Sequence, residues 1–343
     1  MSGPNYRTPG ATRVLPVNAP RDQWLAARKR GLGGSDTSTV LGINPWKTRV
    51  ELWLDKTGRI SGEVESNEAM YWGSAHEQTM RRRFTEDTGL AIRQSGLLRS
   101  RDLPFMQYTP DGLTEDGGLL ELKTAGDYTA PDWDEGPADH ALLQVQKGLR
   151  VTGRSHAHVC VLINGRDWRT HVVEPDSELQ NLIADEEQQF WEKHVLGDVQ
   201  PAVVAADVET MKRRFPRAIP DSPITLGDDA ELWDVLRRRA AAQKQQKSWE
   251  EQVKALDAQV RDIIGDHDAV LFGEKTAVKL MNDGTFSSSK FKAEHPELWD
   301  ELQVATFALD VDRLKTEHPD IYRQYRARVL RVLKPAPINS QED

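Results

Sequence analysis

"YTPDGLTEDGGLLELKTA", Tyr108 to Ala125, is the stretch on which the fold turns. Pro110-Asp111-Gly112 is a turn signal. In the strand that follows, successive side chains point to opposite faces, so Leu120 and Leu122 share one face while Glu121 and Lys123 share the other. Asp111, at the start of the partner strand of a hairpin, is placed to meet Glu121 on the charged face. Two readings stand at this point. The charged face is simply wet, or two carboxylates and a lysine gather around a metal ion. An Asp followed at loose spacing by Glu-X-Lys arises roughly once by chance in a chain of this size, so the stretch alone does not decide. Two hard oxygen ligands with open water positions suit Mg²⁺, and a neighbouring lysine can orient water or steady charge on a phosphate.

Working outward, "RDQWLAARKRGLGGSDTSTVLGINPW" reads as helix, glycine turn, then a short helix capped by Ser35 or Asp36. "TRVELWLDKTG" and "EAMYWGSAHEQTMRRRFTEDTG" continue as helices ending at Gly58 and Gly89. The period then changes. "AIRQSGLLRS", "FMQYTPDG", "GLLELKTA", "SHAHVCVLING" and "DWRTHVVEPD" are short, turn-bounded and β-like, with the helix "ADHALLQVQKGLRVTG" crossing over between the third and fourth. "DSELQNLIADEEQQFWEKHVLG" closes the unit. The order predicts an α/β fold, a mixed sheet with helices packed on it. Four segments are expected: a flexible arm over 1–19, a main domain over 20–200, a proline-punctuated linker over 201–226 and a mainly helical domain over 227–343. In the last, Trp249, Val253, Leu256, Val260 and Ile263 form a narrow apolar seam, read as an intrachain packing face.

Composition narrows the function classes. With 38% hydrophobic and 29% charged residues over 343 positions, the chain can bury a real core. No run approaches the roughly 20 apolar residues of a membrane span, and the first residues lack the apolar core of a signal peptide, which points to the cytoplasm. The single cysteine, Cys160, rules out an intrachain disulfide and fits a reducing compartment. A net charge of −9 argues against nucleic-acid binding by overall charge, which leaves charge distribution to decide. Basic runs stand at 28–30, 81–83, 212–214, 237–239 and along "YRQYRARVLRVLK". His156, His158 and Cys160 alternate on one strand, but nothing nearby completes four ligands, so they read as a strand flank. The tryptophans Trp24, Trp53, Trp191, Trp233 and Trp249 read as core.

Four motifs in order, "RKRGLGGSDTSTVLGINPWKTRVELWLDKTG", "WGSAHEQ", "TPDGL…LLELKTA" and "LLQVQKGLRVTG", make residues 20–190 resemble the YqaJ-like viral recombinases. These are the lambda-type phage exonucleases of the PD-(D/E)XK nuclease superfamily. The resemblance implies that core, a mixed central sheet flanked by helices. It implies that Glu77, Asp111, Glu121 and the backbone carbonyl of Leu122 hold Mg²⁺, with Mn²⁺ as substitute. Lys123 would position the attacking water, and Gln144 or Gln146 would support the site. Only one of these two can point fully at it, because residues two apart on a helix diverge. The 5′-terminal phosphate would be received by Arg28 or Arg30, with Ser35 and Thr109. The implied activity is 5′-to-3′ digestion of one strand of linear double-stranded DNA. It leaves a 3′ single strand for a single-strand annealing protein, and it comes from a closed homo-oligomeric ring, such as a trimer, in a phage-infected or prophage-bearing bacterium. Rival readings are a site- or structure-specific endonuclease on the same core and a non-catalytic DNA-binding or phage-assembly protein.

Overall fold

The computed structural model describes residues 3–60, 68–219, 222–225, 227, 231–279, 285–302 and 308–326. The chain divides into two units, Met1–Pro216 and Arg217–Asp343. The first unit runs β1 (Ala11–Leu15), α1 (Arg21–Arg28), α2 (Thr37–Val40), α3 (Arg49–Lys56), α4 (Glu68–Thr88), β2 (Ile92–Arg93), β3 (Leu97–Ser100), β4 (Gln107–Tyr108), β5 (Gly112–Thr114), β6 (Gly118–Ala125), α5 (Asp139–Thr152), β7 (His156–Ile163), β8 (Asp167–Val173), α6 (Ser177–Gln189) and α7 (Val208–Arg214).

The main sheet has the order β2-β5-β6-β7-β8. Only β6 and β7 are parallel within it, joined through α5; β5 and β6 form the expected antiparallel hairpin, with Gly112 opposite Leu120. The period of two sorts the two faces. Leu119 packs with Val145, Leu149, Val159 and Val161 on the α5 side, whereas Leu120, Leu122 and Cys160 pack with Met80 and Phe84 of α4. Each fully buried Leu or Val there contributes about 1.5–3 kcal/mol. Glu121 and Lys123 therefore emerge on the α5 side, held from behind by the two leucines. The strand is fixed by its neighbours, so the charged pair is aimed rather than merely exposed.

Three expectations are corrected. The described part of the expected arm over 1–19 is not free: β1 pairs antiparallel with β3, in a second sheet of order β1-β3-β4. The Arg154 guanidinium also donates to the carbonyls of Asn5 and Arg7, each at 3.0 Å. Gly96, with φ +76°, makes the bend from one sheet to the other; a Cβ on it would lie 2.3 Å from the Leu15 carbonyl oxygen. Secondly, the first unit continues past 200. The buried Asp207 accepts a hydrogen bond from the Thr48 hydroxyl, and Arg213 pairs with Glu51, so α7 belongs to this unit.

The second unit contains α8 (Glu231–Ile264), the hairpin β9 (Ala269–Phe272) and β10 (Lys275–Lys279), then α9 (Ser288–Glu294), α10 (Pro296–Glu301), α11 (Val311–Glu317) and α12 (Pro319–Gln324). The third correction lies here. Among the described residues nothing buries the seam: Trp249 is 58% exposed and Leu256 58%. Residues 327–334 of the basic "YRQYRARVLRVLK" run lie outside the described residues.

Candidate active site

Glu121 is almost wholly buried, and both of its oxygens are held. Oε1 accepts from the Gln144 side-chain amide of α5 and lies 2.8 Å from Lys123 Nζ; Oε2 accepts from the Tyr108 hydroxyl at 2.8 Å. Lys123 Nζ also donates to Gln144 Oε1 at 2.9 Å. Burial opposes the charge on Lys123, yet the adjoining Glu121, with Asp111 and Glu77 beyond it, holds the ammonium above its usual pKa. It is therefore a hydrogen-bond donor at neutral pH. Burial and the Glu121 charge likewise push the Tyr108 hydroxyl well up, so that it stays protonated and donates.

Tyr108 has no slack. Its ring lies under two glycines: a Cβ on Gly148 would come within 2.5 Å of Tyr108 Cζ, and one on Gly34 within 2.9 Å of the ring. Within an exposed helix, Gly→Ala stabilises by roughly 0.5–1 kcal/mol. At Gly148 the sign reverses. Gly148→Ala is expected to destabilise by about 1–3 kcal/mol through overpacking. The effect should appear as faster hydrogen exchange in α5 and β4, and slower exchange there would show that the ring has room to move.

Asp111 Oδ2 accepts from the Leu122 backbone N–H at 2.7 Å across the hairpin. Burial, then the charge of Glu121, raises the Asp111 carboxyl pKa to about 8. Arg81 of α4 ties the third carboxylate in, donating from Nη2 to Glu77 at 2.6 Å and from Nε to the Asp111 carbonyl at 2.9 Å. Three carboxylates (Glu77, Asp111, Glu121) thus meet two cations (Arg81, Lys123). Burial and the neighbouring Glu121 charge, which together raise the Asp111 pKa, fit an added hard cation at Asp111 and Glu121. Glu77 is turned to Arg81 instead of completing a tight triple with them. Among the described residues, the group that brings three ligand atoms within 4.8 Å of one another is Asp116, His156 and His158.

The glycine turn before α2 sits against this group. A pocket of about 100 Å³ is lined by Arg28, Ser35, Thr109 and Trp24, and it shares Tyr108 and Gln144 with the carboxylate cluster. Arg28 donates to Ser35 Oγ at 3.1 Å and lies over the Trp24 ring. The turn is clamped from two sides. The buried Asp36 accepts from the Gly33 N–H at 2.9 Å and pairs with Lys56 at 2.8 Å. Burial works against its charge, but Lys56 and Arg28 hold its carboxyl well below the usual range. On the other side, the buried Lys147 of α5 donates to the carbonyls of Leu32 and Gly33 at 2.7 and 2.9 Å and pairs with the buried Glu187 of α6 at 2.8 Å.

The structure therefore gathers Asp111, Glu121, Lys123 and Gln144, keeps Glu77 near through Arg81, and brings Arg28, Ser35 and Thr109 into the adjoining pocket. It separates two others. Gln146 turns away: its amide donates to the Glu174 carbonyl, and its oxygen accepts from the Asp176 N–H and the Gln180 amide. Arg30 is exposed and does not line the pocket. At Leu122 the backbone N–H meets Asp111, while the side chain packs against α4. The sequence reading missed Tyr108, Arg81 and Lys147. A signal existed for each: Tyr108 and Lys147 adjoin the motifs, and Arg81 follows Glu77 by one helical turn.

A model of the YqaJ-like viral recombinase domain matches residues 23–155. The protein YqaJ of Bacillus subtilis (strain 168) is 31% identical over 294 residues, covering 83% of this chain and 92% of the relative. The chain belongs to the YqaJ-like viral recombinase family. Among solved structures, this family member is similar to the alkaline exonuclease LHK-Exo of Laribacter hongkongensis, at 24% identity and TM-score 0.45, over 56% of this chain and 97% of the other. It is also similar to a phage-related exonuclease from Haemophilus somnus 129PT, at 12% identity and TM-score 0.37, over 49% and 96%.

Proposed function

We propose that this chain is a metal-dependent exonuclease that digests one strand of linear double-stranded DNA from its 5′ end. The observation that carries this reading is the shared wall. Tyr108 and Gln144 belong both to the pocket of Arg28, Ser35 and Thr109 and to the cluster of Glu121 and Lys123. An anion seated on Arg28 and Ser35 would lie next door to the hydrolytic group, as a terminal phosphate must when the adjacent phosphodiester is cut.

Asp111 and Glu121 would hold a divalent cation such as Mg²⁺ or Mn²⁺, joined by Glu77 once Arg81 releases it. When bound, such a cation polarises the scissile phosphate and offsets charge on the leaving oxygen. The protein side is set by the hydrogen bonds. Lys123, charged, donates to a water or a phosphate oxygen and does not accept its proton. Gln144 fixes both Lys123 and Glu121 from α5. Tyr108 keeps Glu121 from rotating. The 3′ strand left behind would pass to a single-strand annealing protein, and a homo-oligomeric ring would keep the enzyme on its substrate.

The test uses the full chain with linear duplex bearing a 5′-phosphate, linear duplex bearing a 5′-hydroxyl, and closed circular DNA, in Mg²⁺ or EDTA. Degradation of linear duplex alone, stopped by EDTA, is the expected result. Cutting of circles would instead make it an endonuclease, and binding without cutting a DNA-binding protein. Arg28→Ala is expected to lose the preference for 5′-phosphate over 5′-hydroxyl ends by about tenfold or more, the scale of a charge-assisted hydrogen bond. Arg30→Ala should retain that preference; the reverse pattern would overturn the pocket assignment.

A further inference from the structure

We propose a second metal site, for a borderline transition-metal dication of the Zn²⁺ class, formed by Asp116, His156 and His158. It lies apart from the carboxylate–lysine group. His156 and His158 are the first and third residues of β7, in parallel register with Gly118 and Leu120. His158 packs edge-on against Phe84 of α4, their ring centroids 5.1 Å apart, so it occupies the sheet face opposite Glu121 and Lys123. Asp116 comes from the turn between β5 and β6.

The three ligand atoms converge on one point. Asp116 Oδ2 lies 3.1 Å from His156 Nε2 and 3.0 Å from His158 Nε2, and the two ring nitrogens are 3.1 Å apart. Hydrogen bonding accounts for at most two of the three sides of this triangle. Each Nε2 has a single in-plane direction, used either by one N–H or by one lone pair. A tetrahedral Zn²⁺ bound at 2.0–2.1 Å spaces its ligand atoms about 3.3 Å apart, close to what is found here.

The surroundings set the protonation states that a cation needs. Ser155 Oγ donates to the Gly117 carbonyl at 3.3 Å, which leaves it to accept from His156 Nδ1 at 2.9 Å. A proton on Nδ1 leaves the Nε2 lone pair of His156 directed at Asp116 Oδ2, where a cation would lie between the two. Such an orienting bond at the far ring nitrogen is the usual support of a histidine ligand. Asp116 Oδ1 is held by the Thr114 hydroxyl at 2.5 Å and the Gly118 N–H at 3.0 Å, leaving Oδ2 to the site. Gly118 makes room: a Cβ there would lie 2.5 Å from His156 Nε2. Two imidazoles and one carboxylate select Zn²⁺, Co²⁺ or Ni²⁺ over Mg²⁺, which prefers oxygen. Such a metal would staple the turn that starts β6 to the start of β7, with water completing the coordination.

Calorimetric titration of the metal-free full chain with Zn²⁺, in excess Mg²⁺ to occupy the oxygen-rich group, tests this. One Zn²⁺ per chain is expected, with affinity falling at least 100-fold in His156→Gln and in His158→Gln while Mg²⁺-dependent DNA digestion persists. Zn²⁺ binding that is absent, or unchanged in both variants, would overturn the site. Co²⁺ added to the wild-type chain gives a reading that needs no variant. An intensified visible absorption, abolished by Zn²⁺, supports imidazole ligation, and the spectrum of aqueous Co²⁺ refutes it.

Discussion

Lys123→Ala is expected to lower hydrolysis of linear duplex DNA by about 10²–10³-fold, the cost of removing one preorganised donor from a reacting phosphate. The fold should survive, because Glu121 keeps two other partners, Tyr108 and Gln144. The loss should therefore fall on turnover with DNA binding retained. Release of acid-soluble nucleotide under single-turnover conditions, beside a duplex-binding titration, reads the two separately. Undiminished hydrolysis would remove Lys123 from the chemistry, and with it the proposed role of the whole charged face. Lys123→Arg is not a safe rescue, since the planar guanidinium does not reproduce a compact ammonium point charge.

Lys147→Met is expected to produce the largest loss of stability. Its ammonium is fully buried and ties three segments together: α5, the Leu32–Gly33 carbonyls and Glu187 of α6. Removing it leaves a buried carboxylate without its counter-ion, which costs about 3–5 kcal/mol, while the two carbonyls keep the backbone N–H groups of Gln107 and Asp36. In hydrogen exchange this is a rise of about two to four orders of magnitude in the opening equilibrium of α5 and α6 amides. The pH dependence gives a second reading. Burial already raises the Glu187 pKa, with Lys147 and Thr37 working against that rise. In the variant the pKa rises further, so the folded state holds its proton more tightly than the unfolded one. The penalty is therefore small below the ordinary carboxylate pKa of roughly 4.3 and grows as pH climbs above it. A deficit that stays constant from pH 4 to 8 would mean that Glu187 is not what the lysine neutralises. Lys147→Met with Glu187→Leu should recover much of the loss.

The contrast between these two lysines shows what was legible. Lys123 could be read because a strand's period of two is rigid: Leu120 and Leu122 on one face fix Glu121 and Lys123 on the other. Asp111 followed from the turn chemistry of Pro110-Asp111-Gly112. A helix is less explicit. Choosing Gln144 over Gln146 depends on the rotation of α5 about its axis, which is set by how Val145 and Leu149 pack on the sheet. Lys147 looks in sequence like any solvated helix lysine, since only tertiary contact reveals that it faces inward. Tyr108 was passed over because it lies on β4, in the other sheet from its partner Glu121. Asp116 joins His156 and His158 only through the parallel register of β6 and β7, a long-range pairing that strand alternation does not disclose.

The continuous run from β6 through α5 to β7 also bears on the order of folding. Glu121, Lys123, Gln144, Lys147 and both histidines lie within this one crossover. A parallel pair has no tight turn to nucleate it, and the chain must close a long loop before the first β6–β7 contacts reward it. Slow docking of β7 onto β6 would thus be a common gate. Until it closes, the chain has neither an aimed Gln144 nor a positioned Asp116 cluster, and afterwards both are in place. Pulse-labelled refolding should find β6 and β7 amides gaining protection together, later than the β5–β6 hairpin.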